Sequence, residues 1–331
     1  VGVTAVETCA QAIRKYFDEK NRTWVTSDFD NLLKIAGVKS ETSWWKRIAH
    51  GFTSKQRDMK FRKSKILRTH TRVKIRSLRK GINDSMMQAY VDEYVTFVYR
   101  DGYDYGVESR VIHHFQQWQE FSQGWVLIRA DESDELHPIK TASNLDSERM
   151  DLHVERNLQK RADCYPYDRV RGLRYSELWW NGWNPSFAKL SDDCTNFISQ
   201  CLFAGQCPMV GGTDRANGWW YKVNSTETLE QWSYSWTTAQ ALYVHLTTTW
   251  GAKVLSSPRE LKIGDIIFYD WTGSGNVHHS AFVSDFDGKG DPLVNAHTDP
   301  SYHRHYLYLD SRAWTPKTSY RFVQIPDRVC K

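Results

Sequence analysis

The run Asp192-Asp193-Cys194-Thr195-Asn196-Phe197-Ile198-Ser199-Gln200-Cys201-Leu202 decides how this chain reads. Cys194, Phe197, Ile198, Cys201 and Leu202 recur at i, i+3, i+4, i+7 and i+8, the spacing of one apolar helix face. Asp192 or Asp193 can cap the start, and Gly205 suits the stop. A thiol in the first helical turn feels the positive end of the macrodipole, which favours the nucleophilic thiolate. Cys201 lies two turns deeper on the same face without the acidic cap and reads as core, the usual fate of a free cysteine. A nucleophilic cysteine needs a base, and the chain offers one downstream in His278-His279-Ser280-Ala281-Phe282-Val283.

Around this run the pattern is helices first and strands after. Tyr167 to Trp180 reads as a helix stopped by Asn181-Gly182, and Ser235 or Thr237 caps another that carries Trp236, Ala239, Tyr243, Leu246 and Trp250. Strands are expected at 266–269, 278–284, 293–297, 306–309 and 320–325. Alternation puts His279 with Ala281 and Val283, the apolar residues expected to pack on the Cys194 helix, and leaves His278 on the other face. If the hairpin through Asp285–Pro292 is symmetric about Gly288, His297 lies opposite His279 and Asn295 opposite Ala281; a two-residue slip exchanges them. The expected constellation is therefore Cys194 as nucleophile, His279 as base, and His297 or Asn295 as its orienter. The Cys194 N–H is expected to help hold an oxyanion, with Asp193 in support.

Metal readings compete with this one. Asp285-x-Asp287-Gly288-x-Gly290-Asp291 resembles a calcium loop, but Lys289 stands where an acceptor is needed and no glutamate closes it, so a hairpin turn is expected. His297, Asp299, His303 and His305 have donors suited to zinc. The preferred reading has no metal and no cofactor.

The 331 residues are enough for two domains, and 40% apolar with 25% charged residues suits a soluble globular protein. No apolar run approaches the roughly 18 residues of a membrane span, so no integral membrane segment is expected. Val1 to Ala10 lacks the features of a signal peptide, and a start without methionine suits a mature or trimmed product. The net charge of +5 is a weak preference for anionic surfaces, and no nucleic-acid motif accompanies it. Cys9, Cys164, Cys194, Cys201, Cys207 and Cys330 show no zinc spacing; Cys201–Cys207 or Cys164–Cys330 can bridge in an oxidising compartment.

Residues 1–140 read as helices (Ala10 to Phe17, Phe29 to Ile35) followed by an antiparallel meander from Ile66, an α+β layer expected to be a curved sheet on helices of the nuclear-transport-factor-2 (NTF2-like) type. Lys46 to Lys80 carries fourteen basic residues against Asp58 alone. A solvated sheet face partly paired with Asp92 and Glu93 is the plainer reading, and a strip for an anionic wall polymer the alternative. Residues 141–164 read as a linker with a helix over Glu148 to Lys160, and 165–331 as the second domain. Of 15 tryptophans ten lie after residue 167, so part of that surface is expected to line a cleft, with Trp219, Trp220 and Trp236 as substrate-binding candidates.

Tyr167-Asp168-Arg169, Asn184-Pro185, Asp193 to Gln200, Ala204-Gly205, Ser235-Trp236, Gly264-Asp265 to Tyr269, His279-Ser280-Ala281 and Asn295-Ala296-His297-Thr298 together resemble the putative amidase domain of Gram-positive bacteria, related to the papain-like NlpC/P60 and CHAP hydrolases. The resemblance covers about residues 165–327. It implies a circularly related papain-like fold, a Cys-His-polar triad and hydrolysis of amide bonds. Peptidoglycan or cell-wall peptide is then the expected substrate, and the cell envelope or exterior the expected location. A processing protease for a secreted or ribosomal peptide is the second enzymatic reading; a non-catalytic wall- or polyanion-binding module is the third. His278 beside His279, the basic strip and Cys207 depart from the family pattern.

Overall fold

Thr4 opens the first helix with a reciprocal cap: its hydroxyl accepts the Glu7 N–H while the Glu7 carboxylate accepts the Thr4 N–H at 2.7 Å. The helix, α1 (Ala5–Thr26), turns Cys9, Ile13, Tyr16 and Phe17 inward and ends where Ser27 takes left-handed φ. In this computed structural model the described residues are 4–37, 42–83, 85–133, 163–223 and 230–330. Over them the protein is α+β, with antiparallel strand pairing. It divides into a first unit of Val1–Asp134, Asp285–Asn295 and Asp299–Pro316, and a second of Glu135–Ser284, Ala296–Thr298 and Lys317–Lys331. The linker helix expected over Glu148 to Lys160 lies outside the described residues.

In the first unit α1, α2 (Asp30–Ala36) and α3 (Ser43–Arg62) share a core with the meander of β1 (Ser64–Lys80), β2 (Met86–Asp101), β3 (Asp104–Phe121) and β4 (Gly124–Ser133). Strands β11 (Pro292–Ala296) and β12 (Ser301–His305) extend that sheet in the order β1-β2-β3-β12-β11, and β4 also pairs with β3. The strand expected at 306–309 is thus displaced to 301–305. Nothing in the sequence pattern alone marks α3. Its apolar residues Trp44, Trp45, Ile48 and Phe52 keep helical spacing, but basic residues dilute them, and two of these, Lys55 and Arg62, are themselves buried.

Those buried cations belong to a charge network. Lys55 Nζ is 2.6 Å from Glu108 and 3.1 Å from Asp310, while Arg110 contacts both acids. Nearby in sequence terms but separate, Lys20 lies between Glu93 (2.7 Å) and Glu132 (2.6 Å), and His114 meets Glu93 at 2.9 Å. Burying a lone charge is prohibitive, so each is met by an opposite one. Glu93 is therefore occupied from within, and of the two acids expected to balance the strip on β1 only Asp92 does so, through Arg76.

The second unit holds α4 (Arg169–Trp179), α5 (Cys194–Ala204), α6 (Tyr234–Thr237) and α7 (Ala239–Thr248). Its sheet runs β10 (His279–Phe286), β9 (Ile266–Asp270), β13 (Ser319–Gln324), β8 (Lys253–Leu255). Small pairs are formed by β5 (Cys164–Pro166) with β14 (Arg328–Cys330) and β6 (Tyr221–Val223) with β7 (Glu230–Trp232). Cys164 and Cys330 face each other across β5–β14 and form a disulfide, while Cys201 and Cys207 are free and buried. Phe197, Ile198, Cys201 and Leu202 of α5 enter one core with Ile266, Phe268, Phe282 and Val323, as their spacing predicts. Gly205 ends α5 for a different reason than expected. The left-handed residue is Gln206 (φ 70°), and Gly205 is needed because a Cβ there would come within 2.4 Å of the Tyr167 ring.

Candidate active site

Cys194 is the first residue of α5 and is buried, 3% exposed. Neither aspartate caps the helix with its side chain. The Asp193 carboxylate instead accepts from the Leu190 N–H (3.1 Å), the Asn196 amide (2.8 Å) and His297 Nδ1 (2.6 Å). The cap comes from outside the helix: Thr298 Oγ1 accepts the N–H groups of Asp193 and Cys194, both at 3.1 Å, and donates to Asp192 Oδ1 at 3.1 Å. The Cys194 N–H expected to face an oxyanion is therefore occupied.

The sulfur lies 3.6 Å from Asp192 Oδ1 and from Thr195 Oγ1, and the main-chain N–H of Ser280 acts to favour its charged form. Burial pushes the thiol up to about 12, and the charge of Asp192 adds to the effect. The helix start was expected to favour the thiolate; here desolvation and the neighbouring carboxylate act in the opposite direction. Asp192 is itself held above the ordinary carboxylate range by desolvation, against hydrogen bonds from Thr298 and Cys194.

Strand β10 presents its residues to α5 the other way round from the expectation. Phe282, with Ile266 and Phe268, packs on α5, and Ser280 Oγ is 3.2 Å from Thr195 Oγ1. His279, Ala281 and Val283 occupy the opposite face, His279 beside its strand partner Tyr269 (ring centroids 5.3 Å) and Trp271 (5.7 Å, nearly parallel). Small side chains at 281 gave no sign of which face the helix covers; the bulk of Phe282 filling the core decides it. Cys194 meets β10 at its beginning, through the Ser280 amide, one peptide unit from His279. His279 is buried, whereas the His278 side chain is 42% exposed with Nδ1 3.6 Å from Asp270.

His297 lies just beyond β11. Its Nε2 is 2.7 Å from the Trp179 carbonyl and its Nδ1 2.6 Å from Asp193 Oδ2, so both ring nitrogens have partners. The ring stacks on Phe197 at 4.0 Å. With both nitrogens engaged, His297 anchors the start of α5 and directs neither at His279. Asn295 belongs to the first unit, where its side-chain oxygen accepts the His303 N–H at 2.9 Å.

Trp219, Trp220 and Trp236 are 0%, 2% and 0% exposed, which overturns their assignment to a cleft. Trp219 and Trp220 follow a glycine-rich loop rather than sit in a regular element, so both rings can turn inward. Trp219 Nε1 donates to Ser199 Oγ and Trp220 Nε1 to the Asn217 carbonyl. Trp183 and Trp271, half-buried beside His297 and His279, are the tryptophans at the histidines. Thr298, Asp192 and Ser280 also complete the site; a side chain in left-handed backbone (Thr298 φ 70°) leaves no trace in a hydropathy pattern.

The residues weighed as metal ligands take other partners. Asp287 Oδ1 accepts the N–H groups of Lys289 and Asp291, as a turn requires. Asp299 pairs with Arg304, and His303 lies 3.7 Å from Asp285. Among the described residues Asp287, Asp291 and His305 of the first unit bring potential ligand atoms within 4.8 Å of one another. No helix among them is long and apolar enough to cross a membrane.

Residues 166–323, which include Cys194, His279 and His297, match the family model described as "Putative amidase domain". The "Uncharacterized protein YhbB" of Bacillus subtilis (strain 168) is 42% identical over 171 residues, 51% of this chain and 53% of that protein. The chain therefore spans about half the length of this curated relative. Of solved structures, the crystal structure of the intermembrane space region of chloroplast protein ARC6 aligns with 40% of this chain and 98% of that one, at TM-score 0.28 and 8% identity, a likeness that carries no argument. Amide hydrolysis is the activity class that the family description attaches to this region.

Proposed function

We propose that the protein is a cysteine-dependent amidohydrolase or peptidase of papain-like design, acting on peptide bonds of the cell wall. The observation that carries this reading is the thiol of Cys194 at the first residue of α5, in contact with the amide that follows His279. Because the resting group is a neutral thiol, attack and proton transfer go together. Cys194 Sγ adds to the substrate carbonyl carbon as His279 takes the thiol proton. His279 returns that proton to the leaving nitrogen as the C–N bond breaks, leaving a thioester; it then draws a proton from the attacking water and passes it to Sγ as the C–S bond breaks, releasing the acid and restoring the thiol. His278, exposed and beside Asp270, is the alternative base.

Trp183 and Trp271 are the cleft walls in this reading. Lys189 Nζ lies 3.5 Å from the Trp183 ring centroid, and a cation there suits a substrate carboxylate. The Cys164–Cys330 disulfide supports an oxidising compartment and so a secreted or envelope-bound protein. The first unit, a meander on helices, is read as NTF2-like. The third reading, a binding module, rests on the exposed basic row of β1, but a retired site has no reason to keep both the thiol and His279.

Purified sacculi incubated with the protein should release new amino groups, and Cys194→Ala should abolish that release while shifting Tm by no more than a few degrees. Full activity in the variant ends the cysteine mechanism. Cleavage of free peptides with intact sacculi points to the processing protease.

A further inference from the structure

Thr298 is the residue at this site whose geometry asks most for a reason. It holds φ 70°, a left-handed conformation that β-branched side chains avoid. Strain of this kind persists only where surrounding structure over-determines it, and it concentrates at functional sites. The over-determination is visible. His297 next to it is fixed by Asp193, by the Trp179 carbonyl and by Phe197. The chain then turns so that the Thr298 hydroxyl meets two convergent main-chain donors, Asp193 N–H and Cys194 N–H, at 3.1 Å each.

Two backbone N–H groups converging on one oxygen beside a nucleophile are the arrangement that stabilises a tetrahedral oxyanion, and the required distance is about 2.7–3.1 Å. We infer that Thr298 Oγ1 occupies the oxyanion position of the resting site and is a positioning latch, displaced when the substrate carbonyl oxygen enters. The inference rests on the reading of Cys194 as nucleophile. Thr298 has a third partner beside the two amides: its hydroxyl donates to Asp192 Oδ1 at 3.1 Å. The side chain is half-buried, so the movement needs no opening of the core.

The latch also accounts for the quiet resting state. The titratable groups acting on the thiol are Asp192 and Asp193 on the approach to α5, with the hydroxyl of Thr195 beside it and that of Ser280 next to Thr195. Thr298 stabilises the charged form of Asp192, which opposes the thiolate, and at the same time absorbs the amide donors that would favour it. A site whose donors are filled by its own hydroxyl reacts only when a ligand supplies a better oxygen.

The test uses the full chain and a peptide aldehyde, N-acetyl-alaninal, whose hemithioacetal with Cys194 places an oxyanion in the hole. Thr298→Val removes the hydroxyl at constant shape and should bind the aldehyde roughly tenfold more tightly, since two hydrogen bonds no longer need breaking. Thr298→Ser, which keeps the hydroxyl, should bind like the parent. Thr298→Ala serves if the valine variant does not fold. In parallel, iodoacetamide labelling mapped by mass spectrometry follows Cys194, because alkylation forms no oxyanion. If Cys194 is labelled ahead of Cys201 and Cys207 but the valine and alanine variants bind the aldehyde equally or more weakly, Thr298 is a helix cap only and the latch is overturned. If Cys194 is neither labelled nor bound by aldehyde in any variant, the nucleophile reading fails and the latch falls with it.

Discussion

The acids of the first unit's charge network and the acid beside Cys194 sit in different settings. In the first, cations answer two buried glutamates: burial alone would raise Glu108 and Glu132, but Arg110 and Lys55 around one, and Lys20, His114 and Arg312 around the other, hold both down to about 2. In the second, Asp192, an exposed residue beside buried Cys194, has hydroxyl and thiol partners, and both it and the thiol are pushed upward. A closed network of charges is a way to hold a sheet on its helices. Under the proposed function, the carboxylate and thiol at the start of α5 are the groups set for reaction, since perturbed groups of this kind gather where chemistry occurs.

The largest effect expected is on the reacting histidine. His279→Ala should cost roughly 10²–10⁴-fold in amide hydrolysis, the usual worth of a general base, and His278→Ala less than about tenfold. Both variants should keep the charge network of the first unit and hence most of their stability. A loss confined to His278→Ala, with folding intact, moves the base to the face of β10 that carries Ser280 and Phe282, and gives the exposed His278–Asp270 pair the catalytic role.

Acid should separate the units next. Glu108 and Glu132 titrate lower in the folded protein than in the unfolded chain, where glutamate lies near about 4.3. Their contribution is fully present above that value and is lost as pH falls toward about 2. Asp58, raised by burial to about 6, has the opposite sign: the folded state takes up its proton first, which offsets part of the loss. Amide exchange followed by mass spectrometry, corrected for intrinsic rates, should show β2 and β3 losing protection between about pH 4.5 and 3 before α5 does. Equal loss in the two units would show that the network does not set acid stability.

How much of this was legible depends on which force decided each element. The α5 helix was, because its apolar stripe and breakers are local, and so were β2 and β3, whose alternation survives folding; β9 and β10 were legible in position but are buried on both faces, so alternation did not fix which face meets α5. Helix α3 was not, since buried Lys55 and Arg62 read as surface until Glu108 arrives from β3 to pair Lys55, while Asp58 of the same helix lies 3.6 Å from Arg62. Nor was the cap of α5: Asp193 stands in the N-cap position, yet His297 claims its carboxylate and Thr298 replaces it, a choice made by residues distant in sequence. The burial of Trp219 and Trp220 likewise depends on the irregular backbone around Gly218.

The smallest effect expected lies on β1, where the basic strip becomes the outer face of an edge strand. Arg72 and Lys74 are exposed there, Arg72 with its guanidinium 4.5 Å from the Tyr94 ring centroid, while Arg76 bonds Asp92, an acid 2% exposed that also takes His113 at 2.7 Å. Exposed ion pairs and cation–π contacts are each worth less than about 1 kcal/mol. Changing Arg72 and Lys74 to serine should therefore lower stability by about 1 kcal/mol or less, measured by urea unfolding, whereas Arg76→Ser strips a partner from a buried acid and should cost more. Charges on a long edge strand also keep it from pairing with another edge, so the double variant should self-associate in sedimentation at concentrations where the parent does not. The alternative makes a different demand. If the row is there to hold an anionic wall polymer, the parent should bind such a polymer with a steep salt dependence and the double variant should lose that binding. Binding that survives both substitutions leaves β1 as a guarded edge, with its charge serving the fold.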